Sequence, residues 1–136
     1  MNSLQIFKMI KRDSILNRMF CGFYSADDVL PPINGFFIVN TAKSGHYGKH
    51  WVVVFKKNDY EEFFDSCGKN GSYYGLPKKK IYNKIRVQGN LPVCGYYCLY
   101  YSLMRCRGIS MCRITHNLKK YNSDIYVLKN VMKHFA

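Results

Sequence analysis

The longest stretch without a charged residue, Val87 to Met104, most limits what this chain can fold into. It approaches the length of a membrane span, but Gln88, Gly89, Asn90 and Pro92 interrupt its first third. It therefore reads as a loop leading into a buried helix, not as a transmembrane segment. From Cys94 to Arg107 the chain is apolar nearly all round, through Tyr96, Tyr97, Leu99, Tyr100, Tyr101, Leu103 and Met104. A helix with no polar face has to be wrapped by the rest of the protein, and Gly108 is placed to end it. With 136 residues there is room for one domain, residues 1–136, around that helix.

The wrapping elements follow from local pattern. Leu4, Ile6, Phe7, Met9 and Ile10 predict a short amphipathic helix. A turn-rich stretch follows, with Gly22, Asp27, Asp28, Pro31 and Pro32. Phe36 to Val39 predicts a buried strand, residues 41–49 a loop, and Trp51 to Phe55 with Tyr60 to Phe64 a hairpin turning on Lys57, Asn58 and Asp59. Ser66 to Lys80 reads as a long surface loop and Ile81 to Val87 as a further strand. The final helix is predicted over Ser123 to Phe135, capped by Ser123 or Asn122, with a stripe of Ile125, Val127, Leu128, Val131, Met132 and Phe135. That order predicts an α+β domain: a mixed sheet packed on a central helix.

The N-terminus mixes Lys8, Lys11 and Arg12 with apolar residues and has no small-residue cleavage site, so it is not read as a signal peptide. An intracellular protein is expected. Its six cysteines, at positions 21, 67, 94, 98, 106 and 112, should then stay reduced, and most read as buried apolar thiols. They contain no Cys-x-x-Cys pair, and no metal is expected. The formal charge of +13, from 21 Lys and Arg against 8 Asp and Glu, creates a positive field that points first to nucleic acid. Lys78, Lys79 and Lys80 form its one tight run and are the candidate nucleic-acid contacts. An acidic protein or membrane surface is the second partner that such a field suggests.

Cys94 opens the buried helix just after a proline-containing turn. Free backbone N–H groups and the helix dipole at that point favour an anion, hence a thiolate, and Gly95 lets a substrate come close. A core cysteine that happens to open a helix fits the local residues equally well. A thiolate nucleophile needs a base, and the base needs an orienting group. Of the four histidines, His116 and His134 sit among basic residues and His46 lies in a glycine-flanked loop, whereas His50 directly precedes the strand at Trp51. If the two strands pair about Asn58, His50 and Asp65 emerge at the same end of the sheet. Gln88, in the loop before Cys94, can offer a neutral amide to an oxyanion together with the Cys94 N–H.

Together these residues resemble the adenovirus endopeptidase family (adenain) and, more distantly, the Ulp-type SUMO-deconjugating proteases. The resemblance rests on Ile38-Val39-Asn40-Thr41-Ala42, His50-Trp51, Phe64-Asp65-Ser66-Cys67-Gly68 and Gln88-Gly89-Asn90-x-x-x-Cys94-Gly95, and covers roughly residues 4 to 105. It implies a papain-like, adenain-like fold and a cysteine endopeptidase with Cys94 as nucleophile, His50 as base, Asp65 as orienter and Gln88 at the oxyanion. It implies viral or virus-like precursors cut at Gly-Gly or Gly-x-Gly sites, in a host nucleus or virion. Trp51 would be an aromatic wall against larger side chains, although it serves equally as core. No cofactor is required for the chemistry, and DNA is a candidate activator.

The chain also departs from that pattern. Asp65 stands where adenain has glutamate, which is the Ulp-type choice. The stretch from Asp65 to Gln88 is short for either group. No cysteine lies between Cys67 and Cys94, where a peptide-linking one would stand, which makes an activating peptide doubtful. Two other readings stay open: an isopeptidase for ubiquitin-like modifiers (related scaffolds also host acetyltransferases), and a basic, non-enzymatic nucleic-acid-binding protein.

Overall fold

The computed structural model describes residues 1–43, 50–121 and 123–136. His46, most of the loop predicted over 41–49, and Asn122 as a helix cap lie outside them.

Helix α1, Ser3–Ile10, starts with a capping box in which the Asn2 side chain accepts from the Gln5 N–H and the Gln5 side chain accepts in return from the Asn2 N–H. The stretch read as turns contains two elements instead, α2 (Ser14–Met19) and strand β1 (Phe20–Tyr24). Asp13 caps α2 through the Ile15 and Leu16 N–H groups. Both elements are too short for a periodic signal; tertiary packing makes them.

Strands β2 (Gly35–Asn40), β3 (Trp51–Lys57) and β4 (Tyr60–Phe64) complete a sheet of order β1-β2-β3-β4, with β1 parallel to β2 and the other pairs antiparallel. The expected β3–β4 hairpin forms, with Val53 opposite Phe64 and Lys57 opposite Tyr60, so Lys57 belongs to the strand and the turn is Asn58-Asp59. Asn58 takes the left-handed conformation of its turn, φ +56°, which asparagine tolerates well. The strands are apolar on both sides because both sides are covered. Phe36, Ile38, Val53, Phe55 and Phe64 face the helices, while Phe37, Val39, Val52, Val54 and Phe63 pack under Tyr74, Leu76 and Tyr82 of the long loop.

The expected central helix is α3, Cys94–Arg105, with Tyr97, Leu99 and Tyr101 fully buried and Tyr101 stacked on Phe64 at 4.1 Å. Helix α4, Met111–Lys120, is not among the elements expected from sequence; only Ile114, Thr115 and Leu118 of it are buried. Helix α5, Asp124–His134, buries Val127 and Val131 and is followed by the buried Phe135. Ile125 and Met132, assigned to the same stripe, are 53% and 59% exposed, because a period of 3.6 carries them off the contact face. Residues 81–87 form no strand, only a single bridge between Tyr82 and Phe63. Among the six cysteines, all free, Cys98 alone is buried, so the expectation that most are core thiols does not hold. No helix among the described residues is long and apolar enough to cross a membrane.

Candidate active site

Cys94 is the first residue of α3, and its cap, Val93, offers no side-chain acceptor to the first turn. The N–H groups at this end are therefore free to face an anion. Burial alone would push the Cys94 thiol up. Hydrogen bonds from His50, the Trp51 N–H and the Gly95 N–H, together with the His50 charge, bring it below the ordinary thiol value. Burial disfavours the imidazolium of His50, but hydrogen bonds with Asp65, Cys67 and Cys94 outweigh it and hold the ring protonated well above its usual range. Both shifts run in the direction that favours the thiolate–imidazolium form of the pair.

The carboxylate beside that pair is fully enclosed, and all its acceptor positions are filled. Asp65 Oδ1 accepts from His50 Nε2 at 2.5 Å and from the Cys67 N–H at 3.0 Å; Oδ2 accepts from the Tyr74 hydroxyl at 2.6 Å and from the Lys69 N–H at 3.1 Å. Burial works against its charge, yet these donors keep its pKa below the ordinary value. With Nε2 engaged, Nδ1 is the ring nitrogen available to the Cys67 and Cys94 thiols. Asn83 clamps the Asp65 backbone, accepting its N–H at 2.9 Å and donating to its carbonyl at 2.6 Å. The chain leaves Asp65 through Gly68 at φ +76°, where a Cβ would stand 2.5 Å from the Arg86 nitrogen. Only glycine meets both demands.

Gln88 faces the same cleft. Its Oε1 accepts from the Ser66 hydroxyl at 2.5 Å and its Nε2 donates to the Leu91 carbonyl at 2.8 Å. An amide nitrogen carries two hydrogens, and the Leu91 carbonyl engages one of them. The cleft, of about 590 Å³, is lined by Met1, Asn2, Ser3, Asn40, His50, Trp51, Gln88, Pro92 and Cys94. Trp51 lines the cleft and also packs against Phe23 at 5.8 Å, with its Nε1–H donated to the Met1 carbonyl. Gly95 is buried, and the close approach it allows is that of the protein itself: a Cβ there would lie 3.1 Å from Met1 Sδ and 3.4 Å from Ile6. Of the basic run, Lys78 and Lys80 are exposed, whereas Lys79 is ion-paired with Glu61 and held by Asn70.

Sequence reasoning missed Tyr74, Asn83 and Cys67. Cys67 had a readable signal: continuing the register from Val53 opposite Phe64 sets His50 opposite Cys67 and Val52 opposite Asp65. Tyr74 and Asn83 arrive through the long loop and carry no local pattern. His50, Asp65 and Cys67 offer donor atoms within 4.8 Å of one another, the one such group among the described residues. The hydrogen bonds of His50 and Asp65 already account for its geometry.

No protein-family model and no curated protein matches the chain. Among solved structures it is similar to the ASFV pS273R protease, with a TM-score of 0.58 at 18% identity over 89% of this chain and 65% of that one. The selenomethionine crystal structure of the ASFV pS273R protease aligns with a TM-score of 0.45 at 24% identity over 69% and 44% of the two chains. The chain spans less than two thirds of that protease's length. At this level of identity the likeness is one of fold, and the expected α+β protease fold is the one this chain has.

Proposed function

We propose that the protein is a cysteine endopeptidase in which Cys94 attacks, His50 transfers protons, Asp65 holds His50 and Gln88 serves the oxyanion. The observation that carries this is the Cys94–His50–Asp65 chain: a helix-tip thiol lowered by an imidazole that is itself fixed at 2.5 Å on a saturated carboxylate. A merely structural histidine needs no such arrangement. In the first step the Cys94 thiolate bonds to the substrate carbonyl carbon, and the oxygen becomes an anion received by the Cys94 N–H and the free Gln88 Nε2–H. His50 gives its proton to the leaving amine as the C–N bond breaks. Water then attacks the thioester, His50 taking its proton, and the acid departs with the thiolate restored. No step calls for a cofactor.

The substrate class we assign is polypeptide with glycine at the cut, as in Gly-Gly or Gly-x-Gly sequences of viral or virus-like precursors. Trp51 and Met1 on the cleft wall support a narrow site. The +13 charge and the exposed Lys78 and Lys80 support DNA as a tether or activator, consistent with work in a host nucleus or virion. Asp65-Ser66-x-Gly68 favours a second reading, an isopeptidase for ubiquitin-like modifiers; modifier conjugates set against Gly-Gly precursor peptides separate the two. The deciding experiment uses a peptide glycine-aldehyde probe. It should react with Cys94 ahead of the other five cysteines and block turnover, and Cys94→Ala should abolish both. Unselective labelling, or cleavage by Cys94→Ala near the wild-type rate, refutes the proposal.

A further inference from the structure

The loop that carries Gln88 has little packing to hold it, since Gly89, Asn90, Leu91 and Pro92 are all exposed. It is held by polar contacts, and these converge on one carboxylate of the last helix. Asp124 Oδ1 accepts from the Gly89 N–H at 2.8 Å and from the Tyr97 hydroxyl at 2.6 Å, and Oδ2 accepts from the Leu91 N–H at 3.1 Å. Ser123 donates to the Val87 carbonyl at 2.8 Å, and the Arg86 guanidinium to the carbonyls of Gln88 and Gly89 at 2.8 and 3.2 Å. A Cβ on Gly89 would stand 2.8 Å from Asp124 Oδ2, so the bare backbone is what allows the carboxylate to close on the loop.

We propose that Asp124 is a positioning residue for the oxyanion donor, acting through the loop peptide it grips. This rests on the endopeptidase reading. The connection is short. Asp124 fixes the Leu91 N–H, the Leu91 carbonyl accepts from Gln88 Nε2, and Ser66 holds the other end of the same amide. Between Ser66 and Leu91 the Gln88 amide has one orientation, oxygen on the hydroxyl and nitrogen on the carbonyl. Asp124 is the first residue of α5, where the helix dipole and its neighbours favour the charged form. Without that charge the Leu91 peptide loses its anchor, and Gln88 Nε2 loses the acceptor that fixes its second hydrogen.

The test compares two reagents on the full chain. Iodoacetamide is attacked at a saturated carbon and forms no oxyanion, whereas a peptide glycine-aldehyde gives a tetrahedral adduct whose oxygen needs one. In Asp124→Asn, alkylation of Cys94 should stay within about twofold of wild type, while aldehyde affinity and kcat fall on the order of ten- to a hundredfold, below the full loss of an oxyanion donor. Hydrogen exchange at the Gly89 and Leu91 amides should speed up in the same variant. Gly89→Ala, which displaces the carboxylate without removing it, should behave alike and covers the case in which Asp124→Asn fails to fold. A normal aldehyde affinity in these variants overturns the inference alone, and so does a parallel fall with both reagents. A wild-type protein that ignores the aldehyde overturns the endopeptidase reading and this inference with it.

Discussion

Replacing Asp65 with asparagine changes one atom in a fully enclosed site, and its effect can be worked through from the contacts. The carboxylate faces four donors: His50, the Cys67 and Lys69 N–H groups, and the Tyr74 hydroxyl. An amide keeps one acceptor oxygen and replaces the other with a donor NH₂, so either orientation sets that NH₂ against two of them. Tyr74 can rotate and accept, whereas the Lys69 N–H cannot; the favoured orientation keeps oxygen on His50 and leaves one buried donor unmet, at about 1–3 kcal/mol of stability. The larger effect is on charge. A carboxylate about 4 Å from an imidazolium contributes roughly 4 kcal/mol at an effective dielectric near 20, equivalent to about three pKa units on His50. The His50 charge is part of what lowers Cys94, so the thiol rises in turn.

Asp65→Asn should therefore lower kcat on a Gly-Gly peptide about a thousandfold with little change in KM. The sign of the accompanying pH effect is fixed. Wild-type Cys94 is lowered, so its alkylation should persist to pH values below the ordinary thiol pKa. In Asp65→Asn the same limb moves to higher pH. The assay is the alkylation rate of Cys94 against pH beside steady-state kinetics. A kcat within fivefold of wild type, or an unmoved limb, would refute the reasoning and reduce Asp65 to a hairpin residue.

Tyr74→Phe removes one charge-assisted donor from Asp65 and should lower kcat about tenfold while the His50–Asp65 bond persists; peptide kinetics measure it. Asp13, pressed upward by burial but lowered to about 2 by the Leu16 N–H, His134 and Arg107, has its folded pKa below the usual carboxylate value. Its contribution is thus complete above that usual value and lost as pH falls toward 2. Urea midpoints of wild type and Asp13→Asn should converge over that fall and differ above it. For DNA, Lys78→Glu with Lys80→Glu should reduce the log–log salt slope of binding by about 2, whereas Lys79→Gln, already paired with Glu61, changes it little. A slope unmoved by the double change places the DNA elsewhere.

What could be read from sequence was local. The uncharged run announced a buried helix opening on Cys94, and a hairpin about Asn58 has few registers that keep Val53 and Phe64 inside, so His50 and Asp65 had to share one end of the sheet. Helix α4 carried a readable signal, Met111, Ile114 and Leu118 at helical spacing behind the Ser110 cap, whereas strand β1 was not legible, because so short an element with half-exposed faces owes its existence to the core it meets. Nor were the residues that complete the site. Tyr74 and Asn83 reach Asp65 from 9 and 18 positions along the chain, and Asp124 reaches Leu91 from 33. Contacts at that separation leave no period in the sequence, because the folding of the core, not the spacing of neighbours, brings them within a hydrogen bond. The chain alone determined which sulfur and which imidazole to consider; the tertiary structure decided what holds them.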